Sequence, residues 1–240
     1  MRRPNDGKSE APQDPSNRTT AINATDYGGT CPQLLTKFWL EFLQLVGVNE
    51  TQAAVPESED CLTVNVWAPS PERKQNKTAV MIWLYGGGFQ FGTSNFYGYD
   101  GQRIVRDNDD VLVVTVNYRT NIFGQPGAPQ LSSTTQSQNF GLLDVEAAIK
   151  WVHLNIAFFG GDPERIILFG QSAGGSAADL CVGIIKLLKE LSCSREEANS
   201  LLKIFFANIT GPRMTDPTAW NKVTNAVHCG IMLCLARLQA

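Results

Sequence analysis

Histidine is scarce. The 240 residues contain two, His153 and His228, so any chemistry that needs an imidazole has two candidates. Long apolar runs are also missing. None approaches the roughly 18 residues of a membrane-spanning helix. A formal net charge of −3 argues against a nucleic-acid or polyanion partner. None of the six cysteines has metal-ligand spacing, so no metal site is indicated. The first residues, Met1 to Lys8, lack the apolar core of a signal peptide.

What is present points elsewhere. Hydrophobic residues make up 43% of the chain, which supports a packed core in one α/β domain. Residues 1–20 are polar and without periodicity, and read as an extended tail. Five N-x-Ser/Thr sequons occur, at Asn17, Asn23, Asn49, Asn76 and Asn208. About two would arise by chance, and the excess hints at a secretory history. The cysteines fit an oxidising compartment. Cys181 and Cys193 are read either as buried free thiols or as partners in a bridge.

The most informative stretch is 162–176. Ile166 to Phe169 predicts a short buried strand, followed by Gly170-Gln171-Ser172-Ala173-Gly174 and small residues that suit a helix start. Gly-x-Ser-x-Gly between a strand and a helix is the pattern of a nucleophile elbow. The turn strains the serine backbone, and the flanking glycines avoid collision with neighbouring elements. In that geometry the Ala173 amide faces the space where an oxyanion forms. The competing reading is an ordinary Ser-Gly turn. A second motif, Tyr85-Gly86-Gly87-Gly88-Phe89, follows the apolar run Ala79–Leu84. It reads either as a flexible loop or as bare amides offered to a developing negative charge.

Leu62–Trp67 alternates as a strand. Ala79–Leu84 and Val111–Val116 are near-continuous apolar runs, as strands buried on both faces are. Residues 142–158 form the clearest helix, with Val145, Ala148, Ile149, Val152 and Ile156 on one face. Gly160 and Gly161 are predicted to end it, with Pro163 blocking its continuation. Strand–helix–strand alternation predicts a parallel sheet.

With these motifs in order, the chain resembles the type-B carboxylesterase family of cholinesterases and secreted fungal lipases and esterases. Further matches are Ile22-Asn23-Ala24-Thr25, Cys31-Pro32-Gln33, Ser58 to Trp67, Asn117-Tyr118-Arg119, Gly124 to Pro129, Asn139 to Asp144 and Phe159 to Pro163. The resemblance implies an α/β-hydrolase fold, here the N-terminal part of a mostly parallel sheet covered on both faces. It makes 21–240 a partial domain of that type, divergent at 180–204. It implies Ser172 as nucleophile, and Gly87, Gly88 and Ala173 as the oxyanion hole. It pairs Cys31 with Cys61 and offers Cys229 and Cys234 as a second pair at unusually short spacing. It pairs Arg119 with Asp144 in a buried salt bridge. The aromatics Phe38, Trp39 and Phe42, in a short helix expected over 34–46, either touch the ester or simply pack their loop. The implied substrate is a small-molecule or lipid ester, and the implied location is outside the cell, with no cofactor.

Departures from the family begin after Ser176. Residues 180–204 read as a helical hairpin foreign to it. Lys203 to Gly211 resembles its next strand, displaced. Trp220 to Leu238 resembles the helix of the second cysteine pair. His153 lies upstream of the serine, and His228 follows it too closely for the family order. Gln171 stands where many relatives have glutamate. The expectation is therefore an incomplete hydrolase chain without the histidine and acid of a triad. The alternative is a non-catalytic binding or adhesion domain, or a degenerate product. Retention of Ser172 speaks against the adhesion reading.

Overall fold

The computed structural model describes residues 10–13, 15, 19–33, 35–37, 41, 56–70, 72–73, 77–127, 139–181 and 236–238. Five strands form one mixed sheet: β1 (Val64–Trp67), β2 (Thr78–Leu84), β3 (Val111–Val116), β4 (Gly161–Gly170) and β5 (Ala236–Leu238). Their spatial order is β1-β3-β2-β4-β5. β2 pairs in parallel with both β3 and β4, while β1 and β5 run antiparallel at the two edges.

Buried and half-buried residues alternate strictly along β2. Val80, Ile82 and Leu84 point to one face and meet Val145, Ala148, Ile149 and Val152 of helix α2 (Phe140–Asn155). A fully buried aliphatic side chain contributes about 1.5–3 kcal/mol, so this layer dominates the stability of the sheet. On the opposite face, helix α1 (Gln102–Asp107) follows Gly101, whose missing Cβ would sit 2.8 Å from the Val113 side chain. The β2–α1–β3 connection moves one way along the sheet, and β3–α2–β4 moves back past β2. Crossovers of one hand therefore place the two helices on opposite faces. The reversal at β2 makes the carboxyl ends of β2 and β4 the topological switch point, where sheets of this kind place their ligands.

The Asn139 side chain caps α2 by accepting from the Leu142 amide. The helix begins two residues earlier than periodicity predicts and gives way at Ile156 to a 3-10 turn. Gly160, at φ +93°, closes that turn. Gly161 does not end the helix. It already belongs to β4 and pairs with Thr78, so the strand is six residues longer than its apolar run. Ala236–Leu238 is strand and not the end of a helix. The exposed backbone edge of β4 accepts it as an antiparallel partner.

Cys31 and Cys61 are bonded, and both are buried. The sequence separation of 30 sets the chain entropy that the bridge removes from the unfolded state. Replacing both cysteines by serine is expected to cost about 3–4 kcal/mol, read as a lower midpoint in urea. Cys181, packed against the main core, is a free thiol. Burial, with Glu146 adding, pushes it up to about 12, so it is a poor nucleophile at neutral pH. Cys193, Cys229, Cys234 and His228 lie outside the described residues. So do Phe38, Trp39, Phe42 and the segments 182–204 and 203–211.

Candidate active site

β2 and β4 are in register at their carboxyl ends, with Leu84 opposite Gly170. The chain segments that leave them therefore emerge side by side. From β2 comes the glycine loop, residues 85–92. Gly87 and Gly88 have φ of +113° and +62°, and Phe89 is also left-handed at +59°. Only glycine adopts the first of these without strain. A Cβ at Gly87 would also lie 2.2 Å from the Phe91 carbonyl oxygen. That tight turn is closed by Gln90 and Phe91, whose amides donate to the Gly87 carbonyl at 2.9 and 3.4 Å. A trans peptide is planar, so fixing the Gly87 carbonyl turns the Gly88 N–H the opposite way. Among the described residues, the amides of Gly87, Gly88 and Ala173 donate no hydrogen bond.

From β4 comes the elbow. Ser172 is exposed and sits at φ +52°, a left-handed conformation that strains a residue with a Cβ. Helix α3 starts at once, over 173–181, and its first turn is closed by the Ser176 amide donating to Ser172 O at 3.0 Å. The flanking glycines have no room for a side chain. A Cβ at Gly174 would be 2.1 Å from Leu84 O, and one at Gly170 would be 2.5 Å from the Gly174 carbonyl carbon.

The two segments touch. A Cβ at Gly86 would lie 2.6 Å from Gln171 O and 3.2 Å from Ser172 Cβ. The Gln171 amide donates to Leu84 O at 3.3 Å. Beside the elbow, Tyr99 donates its hydroxyl to Gln171 Oε1 at 3.3 Å. Burial raises the Tyr99 phenol above its usual value, so it stays a donor. Trp83 packs against Tyr99 and Phe169, each with ring centres 5.0 Å away, and forms the apolar wall below.

Ser172, Gly87, Gly88 and Ala173 are thus gathered at one end of the sheet. His153 is not with them. It is exposed in the last turn of α2, its Nδ1 3.3 Å from Pro163 O at the amino end of β4. The four regular strand steps from Ile166 to Gly170 alone span about 13 Å, and Pro163 lies before them. Arg119 and Asp144 form the expected salt bridge, with contacts of 2.7 and 2.8 Å between side chains. Asn23 is exposed and accepts from the Thr25 hydroxyl at 2.8 Å. Asn17, Asn49, Asn76 and Asn208 lie outside the described residues. Among those residues, no group of three His, Cys, Asp or Glu side chains is placed to hold a metal ion. No helix among them is long and apolar enough to cross a membrane.

The sequence motifs include Tyr118 and Gln33 but assign no role to the groups that brace the glycine loop. These are Tyr118 and Asn121 beyond β3, and Gln33, whose Oε1 accepts from the Gly92 amide at 2.7 Å. Their partners are 31 to 59 positions away in sequence, so no local pattern marks them.

A mixed sheet with parallel central strands, a strained serine on a strand–turn–helix and a glycine loop on the next strand defines an α/β-hydrolase. Comparison with known proteins specifies the family. Residues 5–186 match the Carboxylesterase family model, and the chain belongs to that family. It is 41% identical over 168 residues to the para-nitrobenzyl esterase of Bacillus subtilis (strain 168), covering 69% of this chain and 31% of that protein. It is 41% identical over 161 residues to a cholinesterase of Mus musculus, covering 66% of this chain and 25% of that one. The chain therefore spans a third or less of the length of these relatives.

Proposed function

We propose that the chain carries the nucleophile and oxyanion-binding half of a carboxylic-ester hydrolase that works through an acyl-enzyme. The observation that carries this reading is Ser172, exposed on its left-handed apex in contact with the glycine loop. Ser172 Oγ attacks the ester carbonyl carbon. The carbonyl oxygen takes the negative charge and is held by the amides of Gly87, Gly88 and Ala173. Collapse of this intermediate expels the alcohol and leaves an acyl-serine, which water then cleaves. A base must take the serine proton and return it to the alcohol, and an acid must orient that base.

His153 is at the wrong end of β4 for that work. The shared span is 31% and 25% of the two relatives. The reading assigns the base and acid to a counterpart of their further length, with His228 the one other candidate inside these residues. The acyl specificity belongs to the same further length. The substrate class is a small-molecule or lipid ester. The disulfide and the exposed Asn23 sequon support a secreted glycoprotein. A chain secreted from eukaryotic cells should accordingly lose mass on treatment with an N-glycosidase.

The test is a fluorophosphonate reagent applied to the purified chain, with circular dichroism to establish folding. Adduct mass on the peptide containing Ser172 supports the reading. A folded chain that takes up no reagent sinks the claim that these residues hydrolyse esters unaided.

A further inference from the structure

Two of the amides assigned to the oxyanion hole, those of Gly87 and Gly88, lie in a run of three consecutive glycines, the residues least able to hold their own conformation. Electrostatic stabilisation works only if such donors are already in place when charge develops. Something outside the loop must hold it. The short segment that leaves β3, residues 118–121, meets the loop at both of its ends.

At the start, Tyr118 donates its hydroxyl to Tyr85 O at 2.6 Å. Tyr85 returns its own hydroxyl to Tyr118 O and accepts from the Tyr118 amide at 3.2 Å. The two rings stack, with centres 4.2 Å apart and planes 11° from parallel. Both side chains are fully buried. Burial raises both phenols well above their usual values, so each stays protonated and a donor. Holding Tyr85 O fixes the plane of the Tyr85–Gly86 peptide, from which the glycines start.

At the far end, Asn121 donates its amide to Phe89 O at 2.7 Å and its side-chain Nδ2 to Gln90 O at 3.2 Å. The same Nδ2 reaches Pro32 O at 3.4 Å. Its Oδ1 accepts from Phe123, which fixes which way the side-chain amide faces. Asn121 sits at φ +48°, a conformation that asparagine tolerates better than most residues. Phe89 and Gln90 immediately follow the glycines, so the loop is gripped on both sides of Gly86–Gly88.

We propose that Tyr118 and Asn121 are positioning residues that clamp the glycine loop into its oxyanion-binding conformation. Neither touches the reacting atoms. The proposal rests on the esterase reading for its catalytic consequence, but the clamp itself can be measured without turnover. Asn121→Gly keeps the left-handed backbone and the bond to Phe89 O while removing both Nδ2 bonds. Tyr118→Phe keeps the ring stack while freeing Tyr85 O.

The experiment has two readouts. The first is fluorophosphonate inactivation, resolved into reagent affinity and maximal rate. Each variant is expected to lose about tenfold to a hundredfold in maximal rate, with affinity little changed. The core change Ile149→Val serves as a stability control and should leave the rate alone. Wild-type rates in both variants would overturn the proposal. The second readout is hydrogen exchange over residues 86–92, expected to quicken in both variants while α2 is unchanged. If the wild-type chain takes up no reagent, these residues do not activate Ser172 unaided, and exchange alone decides the clamp. Unchanged exchange at 86–92 would overturn it. Should Tyr118→Phe not fold, Asn121→Gly carries both readouts.

Discussion

In a protein that joins these residues to a base and an acid, Ser172→Ala is expected to lower ester hydrolysis by at least about three orders of magnitude while leaving the fold intact. Loss of the hydroxyl removes the only atom that can form the acyl-enzyme in this reading, so no covalent intermediate accumulates. Any remaining rate reflects water attacking an ester held by the oxyanion amides. Stability should scarcely change, because the side chain is exposed and alanine carries the same Cβ at φ +52°. Ser172→Gly is a useful companion. It is equally inactive, but glycine relieves left-handed strain of the order of 1–3 kcal/mol, so this variant should melt higher than the parent. Burst kinetics with a chromogenic ester and thermal unfolding followed by circular dichroism check the two halves. A Ser172→Ala protein that still shows a burst would place the nucleophile elsewhere.

Asp144→Ala is expected to destabilise the fold by about 3–5 kcal/mol. Arg119 and Asp144 are 3% and 0% exposed, and three contacts join them: Nη2–Oδ1 at 2.7 Å, Nε–Oδ2 at 2.8 Å and the Arg119 amide to Oδ2 at 3.0 Å. Removing the carboxylate leaves a guanidinium that cannot deprotonate, buried against the Phe140 ring at 5.3 Å. Among the described residues, Arg119 Nη1 is already buried without a hydrogen-bond partner and offers no spare compensation on that side. The pair ties the end of β3 to α2. It also lies between Tyr118 and Asn121, so fluorophosphonate uptake should fall as well. Urea denaturation measures the loss. The double change Arg119→Met with Asp144→Leu should recover most of it, because a packed apolar pair avoids the desolvation of both charges. Failure to recover would mean that the charge pair specifies geometry that packing alone cannot supply.

The central strands were legible because their residues are apolar on both faces, a pattern that few other elements share. Val111–Val116 falls where periodicity places it. β4 was harder. Its first five residues include Pro163, Glu164 and Arg165, which read as a loop; Thr78 pairs with Gly161, and the register shifts before regular pairing resumes at Ile166. The elbow was legible for a different reason. Gly170 and Gly174 face backbone at 2.1–2.7 Å, a crowding that fixes residue type, and fixed residue types make a readable motif. Tyr118 and Asn121 carry no such mark. A tyrosine after a strand is ordinary, and its hydroxyl acquires meaning only when β3 is laid beside β2. The same holds for His153, whose distance from Ser172 follows from the direction of β4 and not from the sequence gap.

The pairing order of the strands also bears on how the nascent chain matures. β2 can join β3 soon after both are synthesised, but its other edge waits for β4. Leu84 and its partner Gly170 are separated by the whole of α1, β3 and α2. At roughly 5–20 residues per second, that edge stays open for about 4–17 s of translation. During this interval it is a bare, apolar template for pairing with another chain. The glycine loop, too, has no elbow to rest against until then. Any protein that stops short of residue 170 would therefore be an aggregation hazard before it could be a catalyst.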